Sequence, residues 1–165
     1  MSAWTRPTTA DIGLRVFSSS LDKLFCETTT GMQQLVMTQD SNKLINSFIR
    51  HSSQWNVTLE KNGVTDHEIL LIKWLEEVLY RNEVHEEFLC ELQMLIVEDE
   101  KFLTCNAQVD WVDSKLVEKG VEIKAVTSHE LIIEQIEDNQ ELYSKWEEIP
   151  HFIGPGWYCD IVFDI

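Results

Sequence analysis

The sequence ends in Phe163-Asp164-Ile165, an acidic side chain inside an otherwise apolar run. If that run is a strand, the Asp164 carboxylate and the terminal carboxylate of Ile165 stand close together. Two anions crowded on an apolar strand end repel each other and lose hydration. A hard divalent cation such as Ca²⁺ or Mg²⁺ relieves that strain, because such ions take carboxylate oxygens. A third carboxylate, such as Asp11 near the other end of the chain, would complete half a coordination shell. The plainer alternative is an acidic residue exposed to water at the chain end.

Other chemistries are poorly supplied. There is no G-x-S-x-G elbow, no glycine-rich phosphate loop and no H-E-x-x-H pair. His51, His67, His85, His129 and His151 have no tight metal-ligand spacing and read as surface or structural residues. Cys26, Cys90, Cys105 and Cys159 form no C-x-x-C pair, so they read as reduced thiols of an intracellular protein. The acidic runs Glu76-Glu77, Glu86-Glu87 and Glu98-Asp99-Glu100 read as solvated faces.

The 165 residues carry 29 acidic and 13 basic side chains, a formal charge of -16. That balance argues against a broad nucleic-acid surface, whose affinity rests on Lys and Arg neutralising phosphates. It argues equally against anionic membranes. It suits a partner with a basic surface or a bound cation, with simple solubility as the alternative. Met1 to Thr9 has no apolar leader core, and no apolar run reaches the roughly 18 residues of a spanning helix. A soluble, cytoplasmic protein with no membrane partner is expected. The length is that of one domain, residues 1–165, and 44% apolar residues suffice for a core.

The elements that must position these residues follow from periodicity. Ala10 to Phe17 alternates: Ala10, Ile12, Leu14 and Val16 share a core face, and Asp11, Gly13, Arg15 and Phe17 share the other. A helix is expected from about Leu21 to about Met37, capped by Ser19 with Asp22; Thr28 to Thr30 and Gly31 weaken it in isolation, so packing on a sheet must compensate. Lys43 to Lys61 reads as one or two extended segments, interrupted at Ser52-Ser53-Gln54. Asn62-Gly63 marks a turn. Thr65 with Glu68 resembles a second capping box, before the stripe Leu71, Trp74, Leu75, Val78 and Leu79. Strands are expected over Phe88 to Glu98, Phe102 to Trp111 and Glu122 to Glu137, the last straight or bent. After a turn at Pro155-Gly156, Trp157 to Ile165 alternates to the final residue. The fold class is α+β: a mostly antiparallel sheet with two amphipathic helices packed on one face.

Several segments, in order along nearly the whole chain, resemble the archease family. Thr9-Ala10-Asp11-Ile12-Gly13-Leu14 is similar to its opening motif, and Ser20-Leu21-Asp22-Lys23-Leu24-Phe25 to the start of its first helix. Leu70 to Tyr80 fits its second helix. Glu122-Ile123-Lys124-Ala125-Val126-Thr127-Ser128-His129 resembles its lysine-bearing strand, and Gly156-Trp157 with the terminal Asp164-Ile165 its ending. The resemblance implies a non-enzymatic accessory factor of an RtcB-type RNA ligase, which joins RNA ends in tRNA splicing and repair. Its implied role is to promote guanylylation of the ligase, so that the ligase turns over repeatedly, with RNA contacted only through the ligase. It also implies a divalent metal, Ca²⁺ or Mg²⁺, held by Asp11, Asp164 and the Ile165 carboxylate, with Lys124 as the functional lysine. From its type alone, Lys124 could contact a phosphate or carboxylate as a point charge, or form a surface salt bridge worth about 0–1 kcal/mol. Two positions depart from the family pattern: Thr8 stands where a His is usual, and Ser128 where an aromatic is common. Two other readings compete. One is an acidic chaperone or assembly adaptor for basic or nucleic-acid-processing proteins. The other is a metal-dependent hydrolase, for which no nucleophile and base pair is evident.

Overall fold

The computed structural model describes residues 2–8 and 11–165. Thr9 and Ala10, part of the opening motif and of the first alternating run, lie outside the described residues. The described elements are β1 (Ala3–Arg6), β2 (Ile12–Ser18), α1 (Leu21–Val36), α2 (Gln39–Leu44), β3 (His51–Glu60), α3 (His67–Val84), β4 (Glu87–Glu98), β5 (Phe102–Asp113), β6 (Ala125–Ile136), β7 (Glu141–Leu142), β8 (Phe152–Ile153) and β9 (Gly156–Asp164). A 3₁₀ turn follows α2 and another follows β5. The strands form a four-stranded sheet in the order β1-β2-β9-β6, a three-stranded sheet β3-β5-β4 and the short ladder β7-β8. Every pairing within them is antiparallel. The expected α+β class is the one observed, with the strands divided between two main sheets rather than gathered into one.

Helices α1 and α3 each touch both main sheets. The main core therefore joins Leu14, Val16, Ile161 and Phe163 of one sheet, Trp55, Leu103 and Val109 of the other, and Leu24, Phe25, Leu71, Trp74 and Leu75 of the helices. Each fully buried side chain of this size contributes about 1.5–3 kcal/mol relative to exposure.

The threonines that weaken α1 in isolation are compensated in the fold, as expected. Thr28, Thr29 and Thr30 donate their hydroxyls to the carbonyls of Leu24, Phe25 and Cys26, one turn earlier. Thr29 Oγ1 also accepts from Trp74 Nε1 at 2.8 Å, a buried link between α1 and α3. Gly31 allows α1 to close on the four-stranded sheet: a Cβ there would lie 3.1 Å from Leu14 Cδ1 and 3.2 Å from Ala3 Cβ.

Both expected capping boxes are corrected. The N-cap of α1 is Ser20, whose side chain accepts from the Lys23 N–H, and the N-cap of α3 is Asp66, which accepts from Ile69. Asp22 and Glu68 have different partners. Asp22 Oδ1 accepts from the Ile96 N–H of β4, and Glu68 Oε1 from the Ile133 N–H of β6. These are backbone donors on strands at the edges of their sheets. A buried donor left without an acceptor costs about 1–3 kcal/mol, more than a second bond at a helix end returns.

Three further differences have local causes. The segment before β3 is helical in part, because Thr38 caps α2 by accepting from Ser41. Ser52-Ser53-Gln54 does not interrupt β3, whose polar positions pair across to β5 and face water. The strand β1 was not foreseen; it is short and covers the edge of β2. Among the described residues no helix is long and apolar enough to cross a membrane.

Leu71 is fully buried and Leu95 is 58% exposed. Leu71→Ala is expected to cost about 2–5 kcal/mol and Leu95→Ala less than about 0.5 kcal/mol, read as shifts in urea unfolding midpoint.

Candidate functional site

β2 and β9 run side by side through the middle of the four-stranded sheet, pairing Ile12 with Phe163, Leu14 with Ile161 and Val16 with Cys159. Asp11 comes just before Ile12 and Asp164 just after Phe163, so the two acidic residues lie at the same end of this strand pair. β6 adds the third strand, with Ala125 opposite Asp164. Lys124 then stands beside Ile165. Its backbone N–H donates to the Asp164 carbonyl at 2.8 Å, and its Nζ donates to Ile165 O at 3.2 Å. The structure thus brings Asp11, Asp164, Ile165 and Lys124 to one end of one sheet. Asp164 and Lys124 are exposed and Asp11 is half-buried.

Sequence alternation explains the placement. Ile123 and Val126 are buried on either side of Lys124, and Phe163 is fully buried beside Asp164. The apolar neighbours fix the strand ends in the core, so the charged residues must project from the sheet's end. Thr8 has a defined part here: its hydroxyl donates to the Asp11 carbonyl.

The donors at this end are oxygens, which suits a hard divalent cation. Among the described residues no three His, Cys, Asp or Glu side chains gather as a metal cluster. Asp11 and Asp164 place two acidic side chains at this end. The Lys124 ammonium already neutralises part of that charge.

The five histidines do not converge, which agrees with reading them as structural or surface residues. His51 stacks on Trp111, and His67 meets Trp157 edge-on. The cysteines are not activated. Burial pushes the Cys26 and Cys90 thiols up to about 11 and that of Cys105 up to about 12, and it raises Cys159 as well. All four are free thiols.

Further up the same face of β2 and β9 lies a feature that sequence reasoning missed. Arg15 and Asp160 face each other in the register and join by two hydrogen bonds, at 2.8 Å and 2.6 Å. Both side chains are less than a tenth exposed. The hydrogen bond and charge of Asp160 hold the Arg15 guanidinium above its ordinary value, against the opposing effect of burial. Arg6 of β1 lies 3.6 Å from the same carboxylate and donates to Glu130 at 2.7 Å. Gly13 makes room for Arg6, since a Cβ there would sit 3.0 Å from its Cβ and Nε. The signal was present as two charged residues on the outward positions of two alternating strands. Expecting that face to be solvated concealed it. In fact β2 is buried on both sides from Gly13 to Phe17, because Phe17, Tyr158, Ile136 and Ile149 form a second apolar cluster there.

The comparisons with known proteins agree with one another. Residues 5–165 match the Archease protein family (MTH1598/TM1083). A protein archease of Saccharolobus islandicus is 29% identical over 130 residues, 79% of this chain and 86% of that protein. One from Saccharolobus solfataricus is 30% identical over 129 residues, covering 78% and 86%. One from Pyrococcus abyssi is 28% identical over 134 residues, covering 80% and 87%. The solution structure of Methanobacterium thermoautotrophicum protein 1598 superposes with a TM-score of 0.60 over 99% of each chain, at 18% identity.

Asp160→Asn leaves Arg15 buried without its charge partner and is expected to cost about 3–5 kcal/mol in chemical unfolding. Alkaline pH should also destabilise the fold. The Tyr158 hydroxyl, raised to about 12 by burial and then by Glu134, and the buried thiols all have folded values above their unfolded ones. Their contribution is complete below the unfolded values of 9.0 for Cys and 10.0 for Tyr, and is lost as pH rises to about 12. Unfolding free energy measured against pH should fall across that window, and Tyr158→Phe should flatten its upper part.

Proposed function

The chain belongs to the archease protein family, and from that premise we propose that it is an accessory protein that activates an RtcB-type RNA ligase. In this reading it promotes guanylylation of the ligase and so multiple turnover in tRNA splicing and RNA repair, without turnover of its own. It acts in the cytoplasm on the ligase, and meets RNA only through it.

The observation that supports this most is the convergence of Asp11, Asp164, Ile165 and Lys124 at one sheet end, from strands far apart in sequence. Asp11, Asp164 and the Ile165 carboxylate are proposed to hold a divalent cation, Ca²⁺ or Mg²⁺. Such an ion, presented at a guanylylation site, neutralises charge on a transferring phosphoryl group. The chain's own contribution is positional. Thr8 bonds the Asp11 backbone, the pairing of β2 with β9 brings both acidic residues to one sheet end, and Lys124 adds a positive charge beside Ile165.

A net charge of -16 also accords with a second reading, an acidic chaperone or assembly adaptor for basic or nucleic-acid-processing proteins. RNA ligation by the cognate ligase with GTP and divalent metal, measured with and without this protein, separates the two. Activation should convert one turnover into many. Asp164→Ala, or a short extension after Ile165, should remove that effect. Unchanged stimulation by either variant rejects the metal site. No stimulation of an active ligase by the parent rejects the activator reading and leaves the adaptor.

A further inference from the structure

On the outer face of the four-stranded sheet lies a cavity of about 430 Å³, lined among others by Arg6, Arg15, Glu130, Lys145, Trp146 and Asp160. It lies up the strands from Asp164: Asp160 is four residues away on β9, about 13 Å at strand rise. Its charge is opposite to that of the protein. Arg6, Arg15 and Lys145 give three positive charges, and Asp160 and Glu130 give two negative ones, on a chain of net charge -16.

All three cations crowd one indole. The guanidinium carbons of Arg15 and Arg6 lie 4.9 Å and 5.2 Å from the Trp146 ring centre, and Lys145 Nζ lies 4.8 Å from it. Cation–π attraction holds each of them there, but like charges around one ring repel unless an anion lies among them. Asp160 is engaged by Arg15 through both its oxygens. Lys145 has no carboxylate within ion-pair distance among the described residues. Arg6, only 5% exposed, keeps a buried Nε without an acceptor.

Glu130 is unlike the other members. It sits where β6 leaves its register: β6 advances from Thr127 to Ile132 while β9 moves only from Val162 to Asp160. Its φ is 58°, a left-handed conformation that costs a non-glycine residue about 1 kcal/mol or more. Its side chain is 55% exposed, yet it reaches Arg6 at 2.7 Å. Arg6 is buried, whereas Glu130 is more than half exposed on a strained backbone.

We propose that this cavity is a binding site for a phosphate-class oxyanion, either free phosphate or the phosphomonoester of a nucleotide, and that Glu130 is its displaceable internal occupant. With Glu130 swung out, Arg6, Arg15 and Lys145 against Asp160 leave two positive charges. That matches a phosphate bearing about two negative charges at neutral pH and exceeds what a carboxylate neutralises. Arginine also presents planar paired donors suited to phosphate oxygens. The site is independent of the sheet-end carboxylates and of the ligase reading, because its residues and its ligand are separate from both.

The test is calorimetric titration of the full-length protein at constant ionic strength with inorganic phosphate, guanosine monophosphate and acetate, using three forms. These are the parent, Lys145→Ala and Glu130→Gln, both altered at exposed side chains so that folding is spared. Saturable binding of phosphate by the parent is expected. Lys145→Ala should weaken it and Glu130→Gln should tighten it, each by roughly two- to fivefold, the share of one exposed ion pair. Equal affinity for phosphate and the monophosphate marks a site for the oxyanion alone, and tighter monophosphate a site for nucleotide; either supports the proposal. It is overturned if acetate binds as tightly as phosphate, if Glu130→Gln weakens or does not change binding, or if phosphate gives no saturable heat.

Discussion

The antiparallel pairing of β2 with β9 is the constraint on which the rest of the molecule depends. It joins segments from opposite ends of the sequence, so its formation must overcome the closure of nearly the whole chain. Its inner positions, Leu14, Val16, Cys159, Ile161 and Phe163, supply the buried surface that makes closure favourable. Its outer positions carry everything of chemical interest. β1 and β6 then add to the flanks, one bringing Arg6 and the other Glu130, with Lys124 just before β6. A one-residue slip would send every charged outer residue into the core, so the burial of one face fixes the pairing of the other.

The inner half of that arrangement was legible in the sequence. Strict alternation in Ile12 to Phe17 and in Trp157 to Phe163 gives both the strands and their core faces, and the stripe from Leu71 to Leu79 gives α3. What could not be read was which polar residue would bond which strand. Asp22 and Glu68 have the spacing of capping residues, yet the unpaired N–H groups of Ile96 and Ile133 claim them. Only the tertiary fold creates those donors. The threonines of α1 make the same point in reverse. Taken alone they lower helix propensity, but in place they bond back to the helix, and Thr29 reaches Trp74 as well.

The outer face was misjudged for a related reason. Alternation of apolar with polar residues ordinarily means one wet face. Here Phe17 and Tyr158 lie on the polar side and are covered by Ile149, Phe152 and Trp146 from the segment before β9. That cover moves the Arg15–Asp160 pair out of water. A buried pair of this kind contributes little net stability against a well-packed apolar replacement, yet losing either partner is costly. It therefore specifies register more than it adds stability: Arg15 can lie opposite Asp160 only if Ile12 lies opposite Phe163 and Asp11 adjoins Asp164. The same pairing that buries an ion pair brings the acidic residues to one sheet end.

Along the outer face the polarity is graded. An apolar cluster under Trp146 passes into a cationic cavity around Arg6 and Lys145, and then into the acidic sheet end at Asp11 and Asp164. On a protein so strongly acidic, the long-range field attracts basic surfaces and repels phosphates, but it falls off within about 8–10 Å at physiological salt. Contact distances are governed by local groups instead. A basic partner drawn in by the whole chain would thus meet at this face two neighbouring sites of opposite sign, about 13 Å apart by strand rise. Opposed local charges fix the orientation of such an encounter far better than a uniform acidic patch could, since only one direction of approach satisfies both.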